Sequence, residues 1–359
     1  MTPLPPATSD PKALRRAACA WLCLLVASFA VGAERPPAGG SGTPPPPMVP
    51  AGVTAHRDLA YVEKGHARQV LDLFVPANAG RPLPLIIWIH GGGWAAGDKG
   101  GCPPLRQGYA QRGYAIASVN YRLSQHARFP AQLQDCKAAI RWLRSHAARF
   151  GLDPERFGVW GSSAGGHLVA MVGVTGDVKE FDAEGTREVS SAVQCVMNDY
   201  GPTDFLRMDA HRPAGAALAH NAPDSPESRL IGGPITDPAN RALVARASPL
   251  TYVSRGDPPF LINHGDQDPL VPHHQSELLF AALQDAGVPV RFNTVRGGGH
   301  GAGFGGEELD TMRRDFFELH LKGAQNAAAV WPAAMRSSTA AVGGPAGAGK
   351  QGKKAGKVP

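Results

Sequence analysis

From about residue 53 to residue 321 the chain alternates short apolar runs with longer stretches of helical periodicity. Leu85 to Ile89 and Tyr114 to Val119 are almost continuously apolar, as expected of strands buried on both faces of a parallel sheet. Shorter runs at Phe157 to Trp160, Ala192 to Met197, Pro259 to Asn263 and Val288 to Val295 read as further strands. Ahead of them, His56 to Val62 and Gln69 to Val75 read as a hairpin, the second arm alternating Val70, Asp72 and Phe74 with Leu71, Leu73 and Val75. The clearest helix runs from Pro130 to Phe150. Its Leu133, Cys136, Ile140, Leu143, Ala147 and Phe150 recur at three- and four-residue spacing, its opposite face carries Gln134, Lys137, Arg141, Arg144 and Arg149, and Gly151 ends it. Helices are also expected over Leu105 to Arg112, Gln275 to Ala286 and Glu307 to Leu321. Residues 205 to 250 lack a clear period and read as short helices and loops forming a partial cap. Strands alternating with helices after an opening hairpin specify an α/β fold: a mostly parallel, doubly wound sheet with an antiparallel N-terminal hairpin.

The flanks have a different character. Lys12, Arg15 and Arg16 precede an apolar run from Ala17 to Val31, and Val31-Gly32-Ala33 offers a small-x-small cleavage site. Residues 1–33 therefore read as a signal peptide, too short to span a membrane comfortably, which implies a secreted or periplasmic protein. Residues 34–50 read as a Pro/Gly-rich linker, 51–324 as the catalytic domain and 325–359 as a disordered basic tail. The formal net charge is +6. Much of it sits in that tail, on Arg336, Lys350, Lys353, Lys354 and Lys357 with no acid among them. The remainder is near neutral, so electrostatics gives no support for nucleic-acid binding. Past the signal segment, Cys102, Cys136 and Cys195 remain. An exported chain permits a disulfide among them, and an odd number leaves at least one thiol without an internal partner.

Four stretches carry the chemistry. Gly161-Ser162-Ser163-Ala164-Gly165 fits G-x-S-x-G between a buried strand and a small-residue helix start, the setting of a nucleophile elbow. Glycine is needed at the outer positions because side chains there would meet the neighbouring strand and helix. Ser163 then stands at a helix N-terminus, where the Ala164 N–H can stabilise an oxyanion. Ser162 occupies the x position and points back into the protein. His90-Gly91-Gly92-Gly93-Trp94 follows a buried strand, and its glycines let backbone N–H groups converge on one small volume. His90 reads as holding that loop rather than moving protons. His264-Gly265-Asp266-Gln267-Asp268 follows the Pro259–Asn263 strand and supplies a carboxylate to orient an imidazole. The spacing selects Asp268, with Asp266 as the alternative that better suits a turn. Gly297-Gly298-Gly299-His300-Gly301 presents a histidine on a loop after the last strand. His273 and His274 lack a surrounding Cys or carboxylate cluster at metal spacing, so no metal and no organic cofactor is expected.

The order Ser163, Asp268, His300, each after a successive strand, is the chain order of α/β-hydrolases. Residues 56 to 321 resemble secreted α/β-hydrolase esterases of the feruloyl and acetyl-xylan type, close to hormone-sensitive-lipase-type carboxylesterases. The resemblance is carried by the four stretches above together with Asn120-Tyr121-Arg122-Leu123, Phe129-Pro130-Ala131 and Gly201-Pro202-Thr203-Asp204. Asn120 stands where relatives often have Asp. The resemblance implies Ser163 as nucleophile, Asp268 and His300 as its partners, Gly91, Gly92 and Ala164 as oxyanion donors, and a Cys102–Cys136 disulfide. Trp94, Tyr121 and Tyr200 are expected in the substrate pocket. The implied activity is hydrolysis of short-chain, acetyl or feruloyl-type esters. An amidase or peptidase with the same triad, or a non-catalytic binding protein on this fold, are the alternatives.

Overall fold

A computed structural model describes residues 48–77, 82–182, 188–216, 218–323 and 334–342, all within one compact unit, Thr43–Pro359. The signal segment and nearly all of the linker lie outside the described residues.

The strands are β1 (Val53–Ala60), β2 (Val70–Pro76), β3 (Leu83–Ile89), β4 (Ala115–Val119), β5 (Leu152–Ser162), β6 (Cys195–Asp199), β7 (Phe260–Gly265), β8 (Val290–Arg296) and β9 (Ala334–Ala340). They form one nine-stranded sheet in the order β1-β2-β4-β3-β5-β6-β7-β8-β9. β1 pairs with β2, and β2 with β4, antiparallel; every later pair is parallel. The helices are α1 (Pro103–Arg106), α2 (Ala131–Ser145), α3 (Ala147–Phe150), α4 (Ala164–Val174), α5 (Pro226–Ile231), α6 (Arg241–Arg246), α7 (His274–Asp285) and α8 (Glu307–Lys322).

Each buried strand feeds two cores because successive side chains point to opposite faces. Leu85, Ile87 and Ile89 of β3 join the core built with Leu133, Ile140, Leu168 and Leu279, whereas Ile86 and Trp88 join the other with Trp160, Phe316 and Phe317. Each such side chain taken fully out of water contributes about 1.5–3 kcal/mol. The long helix expected to Phe150 breaks at His146, after which α3 ends on Gly151 in the left-handed conformation.

On the polar face of α2, Lys137 and Arg141 are buried, and both pair with Asp182. Two expectations are corrected. The bridge Cys102–Cys136 does not exist; all three described cysteines are free, because Cys102 lies in the core on one face of the sheet and Cys136 in the core on the other. The catalytic domain does not end at 324. Ala334–Ala340, assigned to the tail by composition, pairs in register with β8 from Val290 to Arg296. Its Ser337 and Thr339 hydroxyls bond Arg291 and Asn293, which small polar residues at alternate strand positions allow.

Candidate active site

β3, β5, β7 and β8 all end at one edge of the sheet, and the loops leaving them carry the four stretches singled out above. At the end of β5 the backbone reverses sharply. Ser163 has φ 54° and ψ −124°, a conformation sparsely populated for any residue with a side chain. Its N–H bonds the Asp199 carbonyl at 2.9 Å and its carbonyl receives the His167 N–H at 3.0 Å. The two outer glycines of the turn are required. A Cβ on Gly161 would lie 2.3 Å from the Gly165 carbonyl oxygen, and one on Gly165 would lie 2.1 Å from that of Ile89.

Three residues from three loops meet here. His300 Nε2 is 2.8 Å from Ser163 Oγ, and His300 Nδ1 is 2.7 Å from Asp268 Oδ2. The other Asp268 oxygen accepts the N–H groups of Leu270 (2.8 Å) and Val271 (2.9 Å). A second histidine, His264, approaches Oδ2 at 3.3 Å. Its Nε2 also lies 2.9 Å from the Val271 carbonyl, so Nε2 carries the proton and Nδ1 accepts the Ser276 hydroxyl at 2.7 Å. Burial alone would raise the Asp268 carboxyl. The hydrogen bonds that His264 and His300 donate to it outweigh burial and hold the group well below the usual carboxylate range. Asp266 does not enter this network; it accepts the Gly297 N–H at 2.7 Å and ties two loops together.

The glycine loop after β3 closes on the serine from the other side. A Cβ on Gly91 would lie 2.7 Å from the Ser162 carbonyl oxygen and 3.1 Å from Ser163 Cβ, so only a bare backbone fits so close. The N–H groups of Gly91 and Gly92 make no backbone hydrogen bond, and that of Ala164 opens α4, where no preceding turn can receive it. His90 anchors this loop: its Nδ1 donates to the Gly91 carbonyl (2.8 Å) while Nε2 faces Arg68 Nη2 at 3.2 Å. Burial, with Arg68 adding to it, lowers the His90 pKa to about 4, so the ring is neutral.

A cavity of about 460 Å³ opens over these groups. Trp94 and Tyr200 line it as expected, with Pro202, Leu218, Leu270 and Val271 making most of its surface apolar. Tyr121 does not line it. Fully buried, it stacks on His90 and donates its hydroxyl to the His90 carbonyl at 3.0 Å, so it supports the glycine loop from beneath. Trp94 is held by His167 Nδ1 at 3.3 Å, and His167 Nε2 donates to the Ala247 carbonyl at 2.7 Å, linking elbow helix to cap. Sequence reading missed Arg68, His220 and Glu227, whose partners lie far away in sequence or in a segment without periodicity, and gave His264 no role although its partner Asp268 is on the same stretch. Among the described residues, no group of three or more His, Cys, Asp or Glu is placed to hold a metal, and no helix is long and apolar enough to cross a membrane.

Sheet order, elbow and converging loops define an α/β-hydrolase. The family described as BD-FAE matches residues 71–283, and the chain belongs to that family. It is 33% identical over 254 residues to the probable carboxylic ester hydrolase LipM of Mycobacterium tuberculosis, an overlap covering 68% of this chain and 56% of that one. To the esterase LipC of the same organism it is 30% identical over 275 residues, 72% and 64% of the two chains. The chain thus spans between a half and two thirds of the length of these curated relatives. Among solved structures, a truncated form of a carbohydrate esterase from gut microbiota superposes with a TM-score of 0.67 at 33% identity, over 75% of this chain and 96% of that one. An acetyl ester-xyloside bifunctional hydrolase from Caldicellulosiruptor lactoaceticus gives 0.55 at 28% identity, over 72% and 89%.

Proposed function

We propose that this chain is a serine carboxylic-ester hydrolase in which Ser163, His300 and Asp268 act as nucleophile, general base and orienting carboxylate. The observation that carries the reading is the unbroken run of short contacts from Ser163 Oγ through His300 to Asp268, at the floor of the cavity. His300 Nε2 takes the serine proton as Oγ attacks the ester carbonyl. Asp268, held ionised, keeps the Nδ1–H tautomer and favours the imidazolium that forms. The N–H groups of Gly91, Gly92 and Ala164 receive the developing oxyanion, each such donor being worth about 3 kcal/mol in the transition state. His300 then protonates the leaving alcohol, and water repeats the attack on the acyl-enzyme. The apolar cavity suits a short-chain acyl or a feruloyl-type ring. The names of the carbohydrate esterase and the acetyl ester-xyloside hydrolase favour acetyl esters carried on carbohydrate. A signal peptide over residues 1–33 would bring the enzyme to such substrates outside the cytoplasm.

The test is hydrolysis of p-nitrophenyl esters from acetate to decanoate, and of methyl ferulate, by the wild type and Ser163→Ala. The expected result is turnover of the short-chain or feruloyl members, reduced at least ~10³-fold by the substitution. No turnover of any ester, or turnover that survives in Ser163→Ala, overturns the reading.

A further inference from the structure

The wall of this cavity carries a second pair of titratable side chains that the hydrolytic steps leave unused. His220 and Glu227 are 1% and 3% exposed, and both line the cavity with Ser163 and His300. His220 Nδ1 lies 3.0 Å from Glu227 Oε1, so the ring donates and the carboxylate accepts. That bond satisfies one side of each group. His220 Nε2 and Glu227 Oε2 are buried and have no hydrogen-bond partner among the described residues.

The local fold holds them in this position. Asp209 accepts the N–H groups of His220 (2.9 Å) and Asn221 (2.8 Å), and Ser225 caps α5 by accepting the Ser228 N–H at 3.0 Å. Pro226 at the start of α5 stands against Gly93, whose added Cβ would touch its ring at 3.4 Å. The pair therefore borders the same glycine loop that closes on Ser163. Buried polar atoms in folded proteins are as a rule paired, and an apolar surround makes an unpaired carboxylate oxygen especially costly. The complement of these two atoms is a hydroxyl. Oε2 accepts, while Nε2 accepts when the ring is neutral and donates when it is protonated. A hydroxyl meets every combination, and an alkyl group meets none.

We infer that the His220–Glu227 pair selects substrates bearing a free hydroxyl within reach of the cavity wall, one of the two side chains turning toward the cavity to receive it. The inference rests on the ester-hydrolase reading. Two sources carry this chemistry: the phenolic hydroxyl of a hydroxycinnamoyl acyl group and a hydroxyl of a sugar leaving group.

Two matched substrate pairs separate the sources in the full-length protein: methyl 4-hydroxycinnamate against methyl cinnamate, and a monoacetylated methyl xyloside against cyclohexyl acetate. The readout is the ratio of kcat/KM, hydroxylated over unhydroxylated, in the wild type and in Glu227→Gln. The expected ratio is at least about tenfold in one pair, collapsing toward one in the variant; the pair that shows it names the source. A ratio near one in both pairs, or a preference that persists in Glu227→Gln, overturns the inference. If Glu227→Gln lacks a cooperative melt, His220→Gln carries the same comparison. Binding of the same four compounds to Ser163→Ala, with and without Glu227→Gln, followed by tryptophan fluorescence, is independent of turnover. Tighter binding of a hydroxylated member that disappears with Glu227→Gln upholds the pair's role even if no ester is cleaved, and equal binding throughout overturns it.

Discussion

His300 Nε2 lies 2.8 Å from Ser163 Oγ although 137 residues separate the two in the chain. The distance follows from strand order. β5 and β8 are separated in the sheet only by β6 and β7, and all four run parallel, so their outgoing loops share one edge. Asp268, leaving β7, comes between them and reaches His300 from the side away from the serine.

Replacing Asp268 by asparagine tests that bridge. The amide retains an oxygen for the Leu270 and Val271 N–H groups but no longer favours the Nδ1–H tautomer of His300 or its positive charge. The expected outcome is a kcat loss of roughly 10³–10⁴ with little change in KM, measured by steady-state hydrolysis of one p-nitrophenyl ester. A loss below about tenfold would remove Asp268 from the relay.

Gly165→Ala tests the elbow. The new Cβ would sit 2.1 Å from the Ile89 carbonyl oxygen and 2.6 Å from that of His90, backbone atoms of the central sheet that have nowhere to go. A destabilisation of about 3 kcal/mol or more is expected. Gly256→Ala, with nothing within 4 Å, is the control and should stay within about 0.5 kcal/mol. Denaturant unfolding of the two variants side by side checks the difference.

Acid should begin to destabilise the fold from about pH 6.5 downward, through buried histidines rather than through Asp268. Burial lowers the pKa values of His90 and His167 from 6.5 to about 4. Between those values the unfolded chain binds protons that the folded chain refuses, so stability is highest above pH 6.5 and falls as pH drops toward 4. Each ring contributes on the order of 1 kcal/mol per pH unit in that window. The depressed Asp268 carboxyl adds a further loss only below its unfolded value of 3.8. Tm measured from pH 8 to 4 should be level at first and then decline below about pH 6.5; a profile flat to pH 4 would contradict the neutral buried rings.

Truncation after Gly323 removes β9 and bares the edge of β8, together with the Ser337 and Thr339 hydroxyls that bond Arg291 and Asn293. A fall in Tm of at least ~4 °C is expected, with greater aggregation from the uncovered edge. An unchanged melt would return residues 334–340 to the tail.

Much of the site was legible because its chemistry is written in adjacent residues. Gly161 and Gly165 around Ser163, and Gly91 and Gly92 before Trp94, have no room for a side chain, so the motifs announce the turns directly. His300 and Asp268 were found by their positions after expected strands. The choice of Asp268 over Asp266 agrees with the contacts, since Asp266 bonds Gly297 while Asp268 faces the imidazole. Tyr121 was misplaced because an aromatic beside a functional loop reads the same whether it lines a cavity or supports the loop from below.

The sequence by itself determined the alternation of strands and helices, the elbow, the glycine loop and the chain order of the triad, since these depend on local sterics and periodicity. Tertiary structure alone decided which groups face each other across the sheet. It put Cys102 and Cys136 in opposite cores, where no bridge can form, and recruited a composition-poor segment as β9. It also brought His264 onto Asp268 and His220 onto Glu227. These outcomes depend on which side of a strand a residue points to and which strand lies beside it, and both are settled only when the whole sheet has packed.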